Sequence, residues 1–162
     1  MKRLVTAFAF VAGAFAAVCG VSSASATTIN FDDRTDGEII SNQYASDGVI
    51  FSSAGGGARI FSYNGADTPT NTIAGTNASG GLDFAQLIEI SFFDGAAKAV
   101  TDFVSIAFTD LQLTGNSMTA YDVNGNMIGQ AIAPCAADHS CNLIEIVSLS
   151  IAGIHRIVLD GA

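Results

Sequence analysis

The sequence predicts an all-β fold, an antiparallel β-sandwich of jelly-roll type with about nine strands, from three observations. Apolar and polar residues alternate in short runs, most cleanly where Ile88, Ile90 and Phe92 oppose Glu89 and Ser91. Gly, Asn and Asp interrupt these runs at intervals of about ten residues. After residue 26 no stretch has the 3.6-residue apolar period of an amphipathic helix.

The central strand is expected over Lys98 to Thr109, with Val100, Val104, Ile106 and Phe108 on a buried face and Asp102-Phe103 breaking the alternation at its entry. Before it, Thr28 to Asp32 alternates as a first strand would and ends in the acidic turn Asp32 to Gly37. Glu38 to Ala45 is less regular. Asp47-Gly48 then turns the chain into Val49 to Ser52, and Arg59 to Tyr63 follows as a further β-prone run. Asn64 to Gly81 is polar and rich in small residues, which predicts a long loop with one short strand at Thr72 to Ala74. Gln86 to Phe93 closes at Asp94-Gly95 and leads to the central strand. Beyond it, Ser117 to Val123 and Asn126 to Ala133 are joined by Asn124-Gly125, a strong hairpin signal. Ile144 to Ile151 and Ile154 to Leu159 complete the series, separated by Ala152-Gly153. With Trp absent, Phe, Ile, Leu and Val are left to build the core.

Residues 1–26 read as a secretory signal peptide. Lys2 and Arg3 precede an apolar run from Leu4 to Val18, and Ala24-Ser25-Ala26 supplies the small residues of a cleavage site before Thr27. The run is shorter and richer in Ala than the ~20 residues of a membrane span. Cys19 follows Ala16-Ala17-Val18, which puts a bulky residue where a lipidated cysteine wants a small one. The expected product is a secreted β-sandwich domain of residues 27–162, extracellular or periplasmic, with no membrane anchor in the mature chain. Its formal charge of −9 becomes −11 once Lys2 and Arg3 leave with the leader. Nucleic acid and anionic membrane are therefore excluded as partners. Cys135 and Cys141, the cysteines left after cleavage, are expected to form a disulfide in an oxidising compartment, closing a short loop through Ala136 to Ser140.

Ile29-Asn30-Phe31-Asp32-Asp33, Gln43-Tyr44, Asp47-Gly48-Val49-Ile50-Phe51, Tyr121 to Asn126 and Ala152 to Val158 together resemble the β-sandwich ectodomains of PEP-CTERM-type exported bacterial proteins. These are similar to galactose-binding-like jelly rolls. The resemblance spans most of residues 27–162 and rests on turns and strand edges, so it implies architecture more than activity. The sequence has no Pro-Glu-Pro sorting signal, and it ends at Gly161-Ala162 where family members continue into another strand with an acidic pair.

The resemblance implies a calcium ion where the first and last strands of a jelly roll lie close. Asp32, Asp33 and Asp160 are the expected ligands of this structural Ca2+, with an exposed acidic turn as the alternative. Tyr44, Tyr63 and Tyr121 are the candidate glycan-binding aromatics, equally readable as sheet residues with their hydroxyls at the edge. The polar stretch Asn64 to Gly81 is a candidate recognition loop or a plain connection. Asp122 to Asn126 resembles the start of a calcium loop, but Met127 stands where an EF-hand needs Gly, so the stretch reads as a turn. His139 and His155 lack metal-ligand spacing, and no Gly-x-Ser-x-Gly elbow, His-Glu-x-x-His pair or phosphate loop occurs. Function is therefore expected to be non-catalytic, a cell-surface or extracellular-matrix protein with a glycan or extracellular polysaccharide as partner. The alternative is a secreted carbohydrate-active hydrolase using a carboxylate pair.

Overall fold

The computed structural model describes residues 22–23, 28–62, 71–108, 115–133 and 145–161. They form strands and connections, with a single 3-10 turn at Ala45–Asp47 and no α-helix among the described residues. The strands are β1 Ser22–Ser23, β2 Ile39–Ile40, β3 Val49–Ser52, β4 Ala58–Ser62, β5 Asn71–Ala74, β6 Ile88–Asp94, β7 Ala97–Phe108, β8 Ser117–Tyr121, β9 Met127–Ile132, β10 Glu145–Ile154 and β11 Arg156–Asp160. The chain is all-β, as its alternation predicts, and its two sheets make a sandwich.

The larger sheet follows the order β1-β7-β6-β11-β8-β9, with β10 added to β7 and β3 added to β6. All its pairings are antiparallel except that of β1, which runs parallel to Ala99 and Val100. The sheet curls until β9 and β10 lie side by side without a ladder, and the Ile151 side chain packs directly on Gly129 across that seam. The smaller sheet, β2-β4-β5, covers the open side. Ile40, Ala58 and Ile60 from it share one core with Val49, Phe51, Ile88, Ile90, Met118, Leu149 and Ile157. At one end Phe31, Tyr44 and Phe51 meet edge to face, with ring centroids 5.8 to 6.0 Å apart.

Several sequence expectations need correction. Thr28 to Asp32 is not a strand: Asn30 and Asp32 bond each other at 2.9 Å, and Phe31 has a φ of 62°. The carbonyls of Phe31 and Arg34 are taken by the Asn71 side chain at 3.1 and 2.8 Å, which removes any need for a ladder. The irregular stretch after Glu38 holds β2 and the 3-10 turn. The Ile154 strand does not begin after Ala152-Gly153; β10 runs through them and breaks at His155.

The central strand is confirmed as β7, and opposite its break at Asp102 the paired strand β10 bulges. Ile151, Ala152 and Gly153 stand opposite Asp102 alone, and the Gly153 amide donates to Asp102 Oδ1 at 3.2 Å. The bulge switches the buried face: Val104 is buried beyond it, but before it Ala99 is buried and Val100, expected inside, is only half-buried. Two aromatics, Phe84 and Phe103, are exposed and stay out of the core.

The turn between β3 and β4 shows how closely β2 and β4 approach. A Cβ on Gly57 would stand 2.1 Å from the Ile40 carbonyl oxygen, whereas one on Gly56, with φ of 94°, would meet nothing within 4 Å. Gly57→Ala should cost about 1–3 kcal/mol through forced displacement of β2. Gly56→Ala should cost only its backbone strain, about 1–2 kcal/mol. Urea melts of the two variants check this, and a Gly57→Ala midpoint equal to wild type would show that β2 does not pack there.

Candidate functional site

Two polar constellations stand out, and only one opens to solvent. The closed one surrounds Tyr44. Its hydroxyl donates to Asp33 Oδ1 at 2.5 Å and accepts from Arg34 Nε at 3.3 Å. The Arg34 guanidinium lies 4.8 Å over the Tyr44 ring and pairs with Asp33 at 3.1 Å and Glu38 at 3.6 Å. Burial first, and then the bond to Asp33, pushes the Tyr44 phenol up to about 12. Tyr44 is thus a buried clamp on the acidic turn and not an exposed platform for a sugar, which corrects its assignment as a ligand-binding aromatic.

Asp32, Asp33 and Asp160, the expected calcium ligands, each have a place of their own in the fold. Asp32 is bonded to Asn30 and Asp33 to Tyr44 and Arg34, while Asp160 ends β11 opposite Ser117. The acidic turn is held by the smaller sheet, through Asn71 and through Ser62, whose amide donates to Asp36. Gly161, by contrast, lies beside Phe84 and Asn116. No group of three or more His, Cys, Asp or Glu that could hold a metal ion forms among the described residues. Tyr63, His139, Cys19 and the Cys135 and Cys141 pair lie outside the described residues, as does residues 1–26 apart from Ser22 and Ser23.

The open constellation lies on the outer face of the larger sheet. Strand register places Arg156 of β11 directly between Tyr121 of β8 and Ser91 of β6. The Arg156 guanidinium stacks 4.3 Å over the Tyr121 ring and donates to Glu89 one row further along. Next to this row is a cleft of about 320 Å³, lined by Glu89, Ser91, Lys98, Asp122, Asn124 and Arg156, with His155 among its walls. Lys98 reaches across from β7 and donates to the Val123 carbonyl at 3.0 Å, tying the β6–β7 hairpin to the β8–β9 turn.

The β8–β9 turn is the hairpin that Asn124-Gly125 predicts. Asp122 Oδ1 accepts from the amides of Asn124 at 2.8 Å and Asn126 at 2.9 Å, and its Oδ2 accepts from the Asn126 side chain at 2.9 Å. These bonds, that of the Asn126 side chain first, hold the Asp122 carboxyl below the usual carboxylate range. Asp122 is therefore ionised near neutral pH and has no proton to give. Glu89 is already engaged by Arg156. The cleft offers hydrogen-bond donors and acceptors on neighbouring strands.

Sequence reasoning named Tyr121 but missed Glu89, Ser91, Lys98, Arg156 and His155. Alternation shows that Glu89 and Ser91 face outward, yet only the β6–β11 register brings Arg156 to them.

The Tyr44 clamp has a pH signature. A folded value raised above the ordinary phenol value of ~10 gives stability that is complete below pH ~10 and is lost as pH climbs toward 12. In an alkaline absorbance titration, one tyrosine should ionise only near pH 12, and that step should vanish in Tyr44→Phe. A titration identical in wild type and variant would contradict the clamp.

Compared with protein-family models, curated proteins and solved structures, the chain matches none.

Proposed function

We propose that this chain is an exported, non-catalytic β-sandwich protein of the cell surface or extracellular matrix, which binds glycan at the cleft beside Arg156. The observation that carries the reading is the cleft itself: paired donors and acceptors on adjacent strands, next to an aromatic ring, with its one turn carboxylate held ionised by its own loop. Such a set can bind hydroxyl groups. Export is supported by the charged, apolar and small-residue order of residues 1–26. The resemblance to PEP-CTERM-type ectodomains supports a surface or matrix location. In that compartment Cys135 and Cys141 would be joined as a disulfide.

A second reading, a secreted carbohydrate-active hydrolase, is favoured by one observation: Glu89 and Asp122 line the same cleft. A glycan array probed with the exported protein, run beside a reducing-sugar assay, separates the two. The proposal expects binding without sugar release, and a protein mass two hydrogens below the reduced form, beginning at Thr27. Sugar release abolished by Glu89→Gln would establish the hydrolase instead.

A further inference from the structure

We infer that this chain self-associates through an uncharged outer face formed by β7, β10 and β9, with a second copy of itself as the partner. The inference is independent of the cleft, since none of the residues that line the cleft lies on this face.

Register and exposure define the face. Phe103 stands opposite Ser150, Ser105 opposite Ser148 and Ala107 opposite Ile146, and all six are exposed. The alternate residues Val104, Val147 and Leu149 are buried, so these three pairs form one outward row. Across the seam, β9 adds exposed Met127, Gln130 and Ile132. Of the seven exposed large hydrophobics among the described residues, four lie on these three strands, with Phe103 58%, Ile132 61% and Ile146 67% exposed. None of the nine residues of the face is charged. Glu145, the one charged residue of β10, has the inward parity of Val147, and its Oε2 is buried. At the centre the Ser148 hydroxyl donates to Ser105 Oγ at 2.9 Å, so the polar atoms there partly satisfy each other and cost less to dehydrate.

The charge of the whole chain points to a second copy as the occupant. Two molecules that each carry a net charge of −9 repel wherever acidic groups meet, and this strip lets them touch without bringing any together. The row also complements itself. A two-fold axis through the Ser105–Ser148 pair, in the plane of the face and across the strands, sets Phe103 over Ala107 of the second copy and Ile146 over its Ser150, large on small at both ends. The same axis keeps the two exposed Asp102 side chains about six strand residues, ~20 Å, apart, beyond the screening length of ~8–10 Å. Three strands wide and about six residues long, the strip covers ~300 Å² per copy, against ~800 Å² for a standard stable interface. It therefore supports a weak, reversible dimer.

Sedimentation velocity of the exported chain, from micromolar to millimolar concentration, tests this. The weight-average mass should rise toward twice the monomer's with concentration, and more steeply at high salt, which screens the repulsion between acidic copies. Ser148→Lys lowers the net negative charge of each copy but sets two ammonium groups against each other at the axis, so it should weaken association by about tenfold or more. Ile132→Lys should weaken it too, and it serves as the test should Ser148→Lys fail to melt cooperatively. Phe84→Ser, in the other exposed apolar group, should leave association unchanged. A chain that stays monomeric throughout would overturn the inference, as would association that survives the folded lysine variants or is abolished by Phe84→Ser. A monomeric chain that binds insoluble polysaccharide, with the binding lost in Ser148→Lys, would give the strip to a glycan instead.

Discussion

One residue joins the strands on which the larger sheet depends. At His155 the chain stops pairing with β7 and begins to pair with β6 and β8. Each polar group involved goes to a different strand: its amide donates to Tyr121 O on β8, its carbonyl accepts from Phe92 on β6, and its ring holds Ala99 O on β7. Such bonds contribute only ~1 kcal/mol each when made, but about 1–3 kcal/mol is lost for each buried group left unmatched. The corner is therefore expensive to leave open, and it fixes three strands relative to one another. The β10 bulge opposite Asp102 feeds the chain into this corner at the required angle.

The same corner sets up the cleft. Arg156 follows His155 at once, so its position between Tyr121 and Ser91 is a direct result of where β11 begins. Lys98 precedes Ala99, the residue whose carbonyl the ring holds, and it spans to the Val123 carbonyl on the far side. The cleft is thus built on three strands and a turn locked by Asp122, with little to move when a ligand enters. This pre-ordering suits binding, because a site already rigid loses less conformational freedom on association.

The fold was legible because alternation in a half-buried strand is a direct trace of its two faces. Ile88 and Ile90 against Glu89 and Ser91 read correctly, as did the Asn124-Gly125 hairpin. The failures come from partners that are distant in sequence. Thr28 to Asp32 alternates like a strand, yet Phe31 has a positive φ and its carbonyl goes to the Asn71 side chain. Val100 has the parity of Val104, but the bulge between them reverses the faces. The acidic turn of Asp32 and Asp33 is tied to the smaller sheet by Ser62 and Asn71, contacts that no local pattern announces. Of the site, Tyr121 could be chosen from its chemistry alone. Arg156 and Glu89 could not, since their pairing exists only through the β6–β11 register.

The account depends most on the state of the His155 ring. Long-range proton–nitrogen NMR correlation on the intact exported protein reads that state directly. Nδ1 is predicted to carry a proton held in the bond to the Ala99 carbonyl. A ring whose Nδ1 carries no proton would contradict both the corner and the cleft built on it.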